Sequence, residues 1–142
     1  MQCGITGETM KIYGSGDQVR DYTYISDVID GTCLSIRSVN KNGTVYNLGK
    51  GKGDTIKDLA NLVSDLCGQR DIKFEDGENR YADQYCIIPS GLTSKTESGW
   101  IDERNYIANI EAAKMDFGYN PRVDLKQGVT ETMEWMKKCL KQ

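Results

Sequence analysis

The chain of 142 residues has no histidine and only two prolines, two tryptophans and two phenylalanines. The commonest general base near neutral pH is therefore missing, and so is the commonest metal ligand. No apolar run approaches the roughly 18 residues that a membrane-spanning helix requires. The N-terminus has no basic segment followed by an apolar core, so no signal-peptide pattern is present and a cytoplasmic location is expected. Excess positive charge is lacking too. With 18 Lys and Arg against 21 Asp and Glu, the net charge of −3 argues against nucleic acid as a partner. The five cysteines, Cys3, Cys33, Cys67, Cys86 and Cys139, are odd in number and never closely paired, which favours reduced thiols over a disulfide framework or a zinc site.

What is present suits one soluble α/β domain. The chain is 38% hydrophobic and 27% charged, and a chain this long buries roughly two thirds of its unfolded surface. Residues 10–27 combine a strand-like run at 10–13, a turn carrying Gly14 and Gly16, and a second strand-like run at 22–25. Ser26 or Asp27 is then placed to cap a helix whose apolar positions are Val28, Ile29, Cys33, Leu34 and Ile36. Arg20 stands before the second run, beside Asp21. There its planar fork can meet a phosphate or carboxylate, or simply form a surface ion pair with Asp21.

Further along, residues 40–43 form a turn by composition and 44–48 a compact strand. The Gly49-Lys50-Gly51-Lys52-Gly53 loop that follows reads either as a phosphate cradle of backbone N–H groups or as a flexible connection; it lacks P-loop spacing. Asp54 or Thr55 caps a helix whose stripe is Ile56, Leu59, Leu62, Val63, Leu66 and Cys67, with Gly68 as its stop. A short strand is expected at 71–75. Residues 76–105 are polar and aperiodic. Helical spacing returns from Asn109 to Gly118, and Asp124 caps a last helix with Leu125, Val129, Met133, Trp135, Met136 and Leu140 on its apolar face. About four helices and four short strands result, and residues 1–9 show no period.

The order of motifs resembles one family. Ile-Tyr-Gly-x-Gly-x-Gln-x-Arg-Asp-Tyr-x-Tyr-Ile-x-Asp-Val at 12–28 is followed by Val-Tyr-Asn-Leu-Gly-x-Gly at 45–51 and Arg-x-x-Asp-Gln at 80–84. Tyr-Ile-Ala-Asn-Ile at 106–110 and Gly-Tyr-x-Pro at 118–121 complete the series. Together they resemble the C-terminal half of the NAD-dependent sugar-nucleotide epimerases and dehydratases, the extended short-chain dehydrogenases, over nearly the whole chain. The resemblance implies that residues 1–142 are the NDP-sugar-binding portion of an extended Rossmann-type enzyme, incomplete without an N-terminal NAD-binding half. Against the family pattern, about twenty residues are inserted at 85–105, as a lid or as decoration.

The same resemblance implies site roles. Arg20 and Arg80 would clamp the diphosphate, Asp83 would accept from a ribose hydroxyl, and Tyr22 would wall the site or bond a phosphate oxygen. Lys11 and Tyr13 would line the base, and Lys52 would be a rim contact. The implied reaction is C4 epimerisation through a 4-keto intermediate, with UDP-sugar 4-epimerases as the nearest match. Alternatives are an NDP-sugar 4,6-dehydratase or a non-catalytic nucleotide-binding domain. NAD would serve the complete enzyme, and the implied partners are an NDP-hexose or NDP-uronate, the N-terminal half and a second copy of this chain. A full dinucleotide glycine fingerprint does not occur here, and the Tyr-x-x-x-Lys spacing occurs only at Tyr46 and Lys50, which fall in the strand-like run and glycine loop. The purified chain is therefore expected to show no NAD binding by fluorescence titration and no turnover of any NDP-sugar; epimerised product from the chain alone would refute this.

Overall fold

The computed structural model describes residues 1–38, 43–68, 70–75, 94–96, 99–101 and 105–140. In chain order the elements are α1 (Gln2–Thr6), β1 (Met10–Tyr13), β2 (Val19–Arg20), α2 (Ile25–Arg37), β3 (Asp54–Thr55), α3 (Ile56–Leu66), β4 (Ile72–Glu75), β5 (Ser94–Thr96), β6 (Gly99–Ile101), α4 (Glu111–Phe117) and α5 (Leu125–Cys139). The strands form three two-stranded sheets. β1 pairs in parallel with β4, Met10 opposite Ile72; β2 pairs antiparallel with β3, and β5 with β6.

Two apolar cores organise these elements. The first buries Met10, Val63, Val129 and Met133, with Leu59, Leu62 and Leu66 of α3 packed around them. The helical stripe on α3 thus faces inward as its spacing predicts. Its start is secured by a capping box: Thr55 accepts from the Asp58 N–H while Asp58 accepts from the Thr55 N–H. The Thr55 hydroxyl also donates to Asp58 Oδ2 at 2.7 Å, and that bond, followed by the one from the Thr55 N–H, holds the Asp58 carboxyl below its ordinary value. α1, which no periodicity announces, closes this core because Gly4 lets it lie directly on α3; a Cβ there would sit 2.9 Å from both Cys67 Sγ and Val63 Cγ1.

The second core buries Ile110, Ala113 and Tyr119, with Tyr46, Leu48, Ala108 and Phe117 against them. The Tyr46 and Phe117 rings meet edge to face at 4.9 Å. Gly31 gives α2 its close approach, since a side chain there would meet the Tyr119 ring at 2.8 Å. Gly118, at φ 71, ends α4, and Asp124 caps α5 through the Gln127 N–H.

Four expectations are corrected. Residues 22–25 are not a strand: the ladder stops at Arg20, the Asp21 and Thr23 side chains take the Lys50 N–H, and α2 already begins at Ile25. Neither Ser26 nor Asp27 caps α2. The helix starts at Ile25, and the Asp27 carboxylate, only 3% exposed, instead accepts from the N–H groups of Arg122 and Val123, both at 3.0 Å. Residues 44–48 alternate in burial as a strand does, Tyr46 and Leu48 inward, yet lie in no sheet among the described residues. Finally, the apolar positions on α2 and α5 are not all core: Ile29, Cys33, Ile36, Trp135 and Leu140 are exposed, Ile36 by 78%.

These outward apolar side chains predict self-association. Light scattering at high concentration should show a mass above that of one chain, and the combined change Ile29→Glu and Ile36→Glu should shift the protein toward the monomer. Unchanged mass in that variant would acquit the α2 face.

Candidate functional site

β2 is only two residues long, and it is held on both edges. On one side Arg20 stands opposite Asp54 of β3. On the other, the Val19 N–H donates to the Asn105 side chain at 2.8 Å, and the Tyr106 N–H donates to the Val19 carbonyl at 3.0 Å. The Arg20 guanidinium carbon lies 5.0 Å from the centre of the Tyr106 ring, and its Nη1 donates to the Val19 carbonyl at 2.9 Å. A guanidinium over an aromatic ring carries a planar fork of donors, which an ammonium cannot imitate. Arg20 and Tyr106 line a cleft of about 480 Å³ with Asn105, Ile107 and Ala108.

Beside the arginine, Asp21 also borders the cleft, with its carboxylate held by four donors. Its Oδ1 accepts from the Lys50 N–H at 2.8 Å and the Thr23 hydroxyl at 3.0 Å. Its Oδ2 accepts from the N–H groups of Gly51 at 3.0 Å and Ala108 at 3.1 Å. Both oxygens are thus engaged by backbone and hydroxyl donors. Lys50 sends its ammonium to Asp54, at 2.6 Å.

This arrangement decides between the two readings of the glycine loop in favour of neither. The N–H groups of Lys50 and Gly51 point at Asp21 rather than at an open anion site, and the glycines serve close packing. A side chain at Gly49 would meet Asp21 Oδ2 at 2.7 Å; one at Gly51, where φ is 71, would meet Ile110 at 2.8 Å; one at Gly53 would collide with Val19.

Tyr22 opens elsewhere. It lines a cavity of about 410 Å³ with Tyr24, Leu59, Leu125 and Val129. Its hydroxyl is buried and has no hydrogen-bond partner among the described residues. Burial pushes the phenol above its ordinary value, and the charge of Arg20 works in the opposite direction. The two residues are therefore electrostatic neighbours facing adjacent cavities.

The family model described as GDP-mannose 4,6 dehydratase matches residues 2–132. The chain belongs to this family. Among its relatives, a dTDP-glucose 4,6-dehydratase of Actinoplanes is 25% identical over 133 residues, covering 94% of this chain and 35% of that protein. A solved UDP-glucose 4-epimerase of Thermotoga maritima, with UDP-glucose, superposes with a TM-score of 0.73 at 27% identity over 98% of this chain and 38% of its own. A structure of MoeE5 in complex with UDP-glucuronic acid and NAD matches with a TM-score of 0.69 at 25% identity, covering 95% of this chain and 38% of that one. The chain spans about a third of the length of these family members.

Within that family frame, the residues expected to form the site fall in different places. Arg20 is in the cleft and Tyr22 in the cavity beside it. Lys11 and Tyr13 lie on β1, in the separate sheet with β4; the Lys11 ammonium pairs with Glu75 at 3.1 Å, which raises its pKa. Lys52 is exposed on the glycine loop. Arg80 and Asp83 lie outside the described residues, as does most of the insertion at 85–105. Sequence reasoning assigned no role to Asn105 or Tyr106, although residues 106–110 were part of the family pattern, and it read Asp21 only as an ion-pair partner.

Because Gly53 has no room for a methyl group against Val19, Gly53→Ala should destabilise the fold by about 1–3 kcal/mol. A fall in the urea midpoint at constant slope would show it; an unchanged midpoint would mean that β2 shifts freely.

Proposed function

We propose that this chain is the nucleotide-sugar-binding portion of an NAD-dependent enzyme acting at C4 of a UDP-hexose or UDP-uronate, with C4 epimerisation through a 4-keto intermediate as the reaction of the complete enzyme. The observation that carries this reading is Arg20, stacked on Tyr106 in the wall of a cleft and clamped through both edges of its strand. A diphosphate needs such a fork. Arg80 supplies the second fork in this proposal and Asp83 accepts from the ribose; Tyr22 contacts a phosphate oxygen or walls the site, Lys11 and Tyr13 line the base, and Lys52 stands at the rim. Residues 85–105 are proposed as an inserted loop.

NAD does not fit the residues of this chain. Gly14-x-Gly16 stands between two strands instead of opening a helix, and the space beside Gly16 is filled by Phe74 at 3.0 Å and Ile12 at 3.4 Å. In this reading NAD and the acid–base pair belong to an N-terminal Rossmann half, and this chain binds and orients the nucleotide.

A second reading, the 4,6-dehydratase, is favoured by the family description and by the Actinoplanes relative. Combining the chain with an NAD-binding half separates the two: a C4 epimer supports the first, and a 4-keto-6-deoxy product the second.

Binding tests the site directly. Charge-assisted bonds to phosphate contribute about 1.5–3 kcal/mol each. In calorimetry with UDP, Arg20→Lys and Arg80→Lys should each weaken affinity by about 1–3 kcal/mol, since lysine keeps the charge and loses the fork. Arg122→Lys, whose guanidinium pairs with Asp30 at the surface, should leave it unchanged. Equal affinity in both clamp variants would dismiss the diphosphate site.

A further inference from the structure

We infer that Asp21 is a positioning residue for nucleotide binding: through its four accepted hydrogen bonds it sets where Arg20 meets the phosphate-facing cleft. The inference rests on the nucleotide-sugar reading above and adds to it a residue outside the clamp.

Arg20 and Asp21 both line the cleft, and the Asp21 carboxylate sits where the glycine loop and residues 105–108 converge. Two of its donors, the N–H groups of Lys50 and Gly51, come from that loop, and a third, the Ala108 N–H, comes from the cleft wall itself. Ala108 is two residues from Tyr106, whose ring carries the guanidinium. Asp21 thus fixes the ring relative to the strand that carries the cation. A carboxylate suits the task, because three of the four partners are backbone N–H groups that can only donate, Lys50 at one oxygen and Gly51 and Ala108 at the other, with the Thr23 hydroxyl as the fourth. Asparagine has the same shape, yet its NH₂ would confront the N–H groups of Gly51 and Ala108 in one orientation and the Lys50 N–H in the other. Asp21→Asn should therefore release either the loop or the cleft wall without creating a cavity.

The test is a double-mutant cycle on the full chain, read as the affinities of UDP and of uridine. Asp21→Asn and Arg20→Lys should each weaken UDP binding by about tenfold or more, and uridine by less than about twofold. If Asp21 acts through Arg20, the double variant should bind UDP no more weakly than the poorer single variant, because coupled residues are not additive. Multiplied losses, or an equal loss for uridine, would mark Asp21 as a fold residue only and overturn the inference. Unchanged UDP affinity in Arg20→Lys would remove the parent reading, whereas a loss in Arg20→Lys with none in Asp21→Asn would remove this inference alone. Should Asp21→Asn fail to fold, Thr23→Val keeps the carboxylate while deleting its hydroxyl donor and the contact of that hydroxyl with the Lys50 N–H, at 3.0 Å. A UDP-selective loss of about threefold is then expected, and no loss would overturn the inference.

Discussion

One carboxylate holds the centre of this protein. Asp21 draws together the end of β2, the glycine loop and the segment before α4, accepting three backbone N–H groups and one hydroxyl. Bonds of this kind to an ionised acceptor contribute about 1.5–3 kcal/mol each, and leaving a buried donor without its partner costs about 1–3 kcal/mol. The two apolar cores are built from different elements. Apolar packing alone supplies little direction where they meet, so polar contacts of fixed geometry set the alignment.

Asp27 repeats the device on a smaller scale. Its buried carboxylate joins α2 to the connection that precedes α5, again through two backbone N–H groups. Both acids use amide dipoles in place of cationic side chains, which leaves the nearby arginines to do other things: Arg122 reaches Asp30 at the surface, and Arg20 lies on an aromatic ring. The glycines of residues 49–53 follow from the same constraint, because three segments crossing at van der Waals distance have no space for Cβ atoms.

A junction of this stiffness suits ligand binding. An arginine whose backbone is paired on both edges and whose guanidinium rests on a ring has little freedom left to lose when it meets an anion. The family includes dehydratases, and an epimerase is among its solved structural neighbours. The substrates for which these proteins are named share a sugar linked to a nucleoside diphosphate, and a diphosphate site can be kept while the chemistry at the sugar changes.

The sequence by itself determined the local elements. Helical spacing on α3, the caps at Thr55 and Asp124, the stop at Gly118 and the strands β1 and β4 all arise from residues within a few positions of one another, where periodicity and capping chemistry act. Kinship was legible as well, because the family's motifs recur in order. Tertiary structure alone decided the rest. The Asp21 side chain meets donors 29 and 87 residues away, and the Asp27 side chain donors 95 and 96 away. An aspartate next to an arginine, or in the first turn of a helix, carries no local mark of such partners, so proximity suggested an ion pair and a cap. α1 was invisible for the same reason: five residues without an N-terminal side-chain cap or a period gain their place because Gly4 can rest on Val63 and Cys67 of a distant segment. Local propensity selects elements, and long-range hydrogen bonds and close packing choose how they meet.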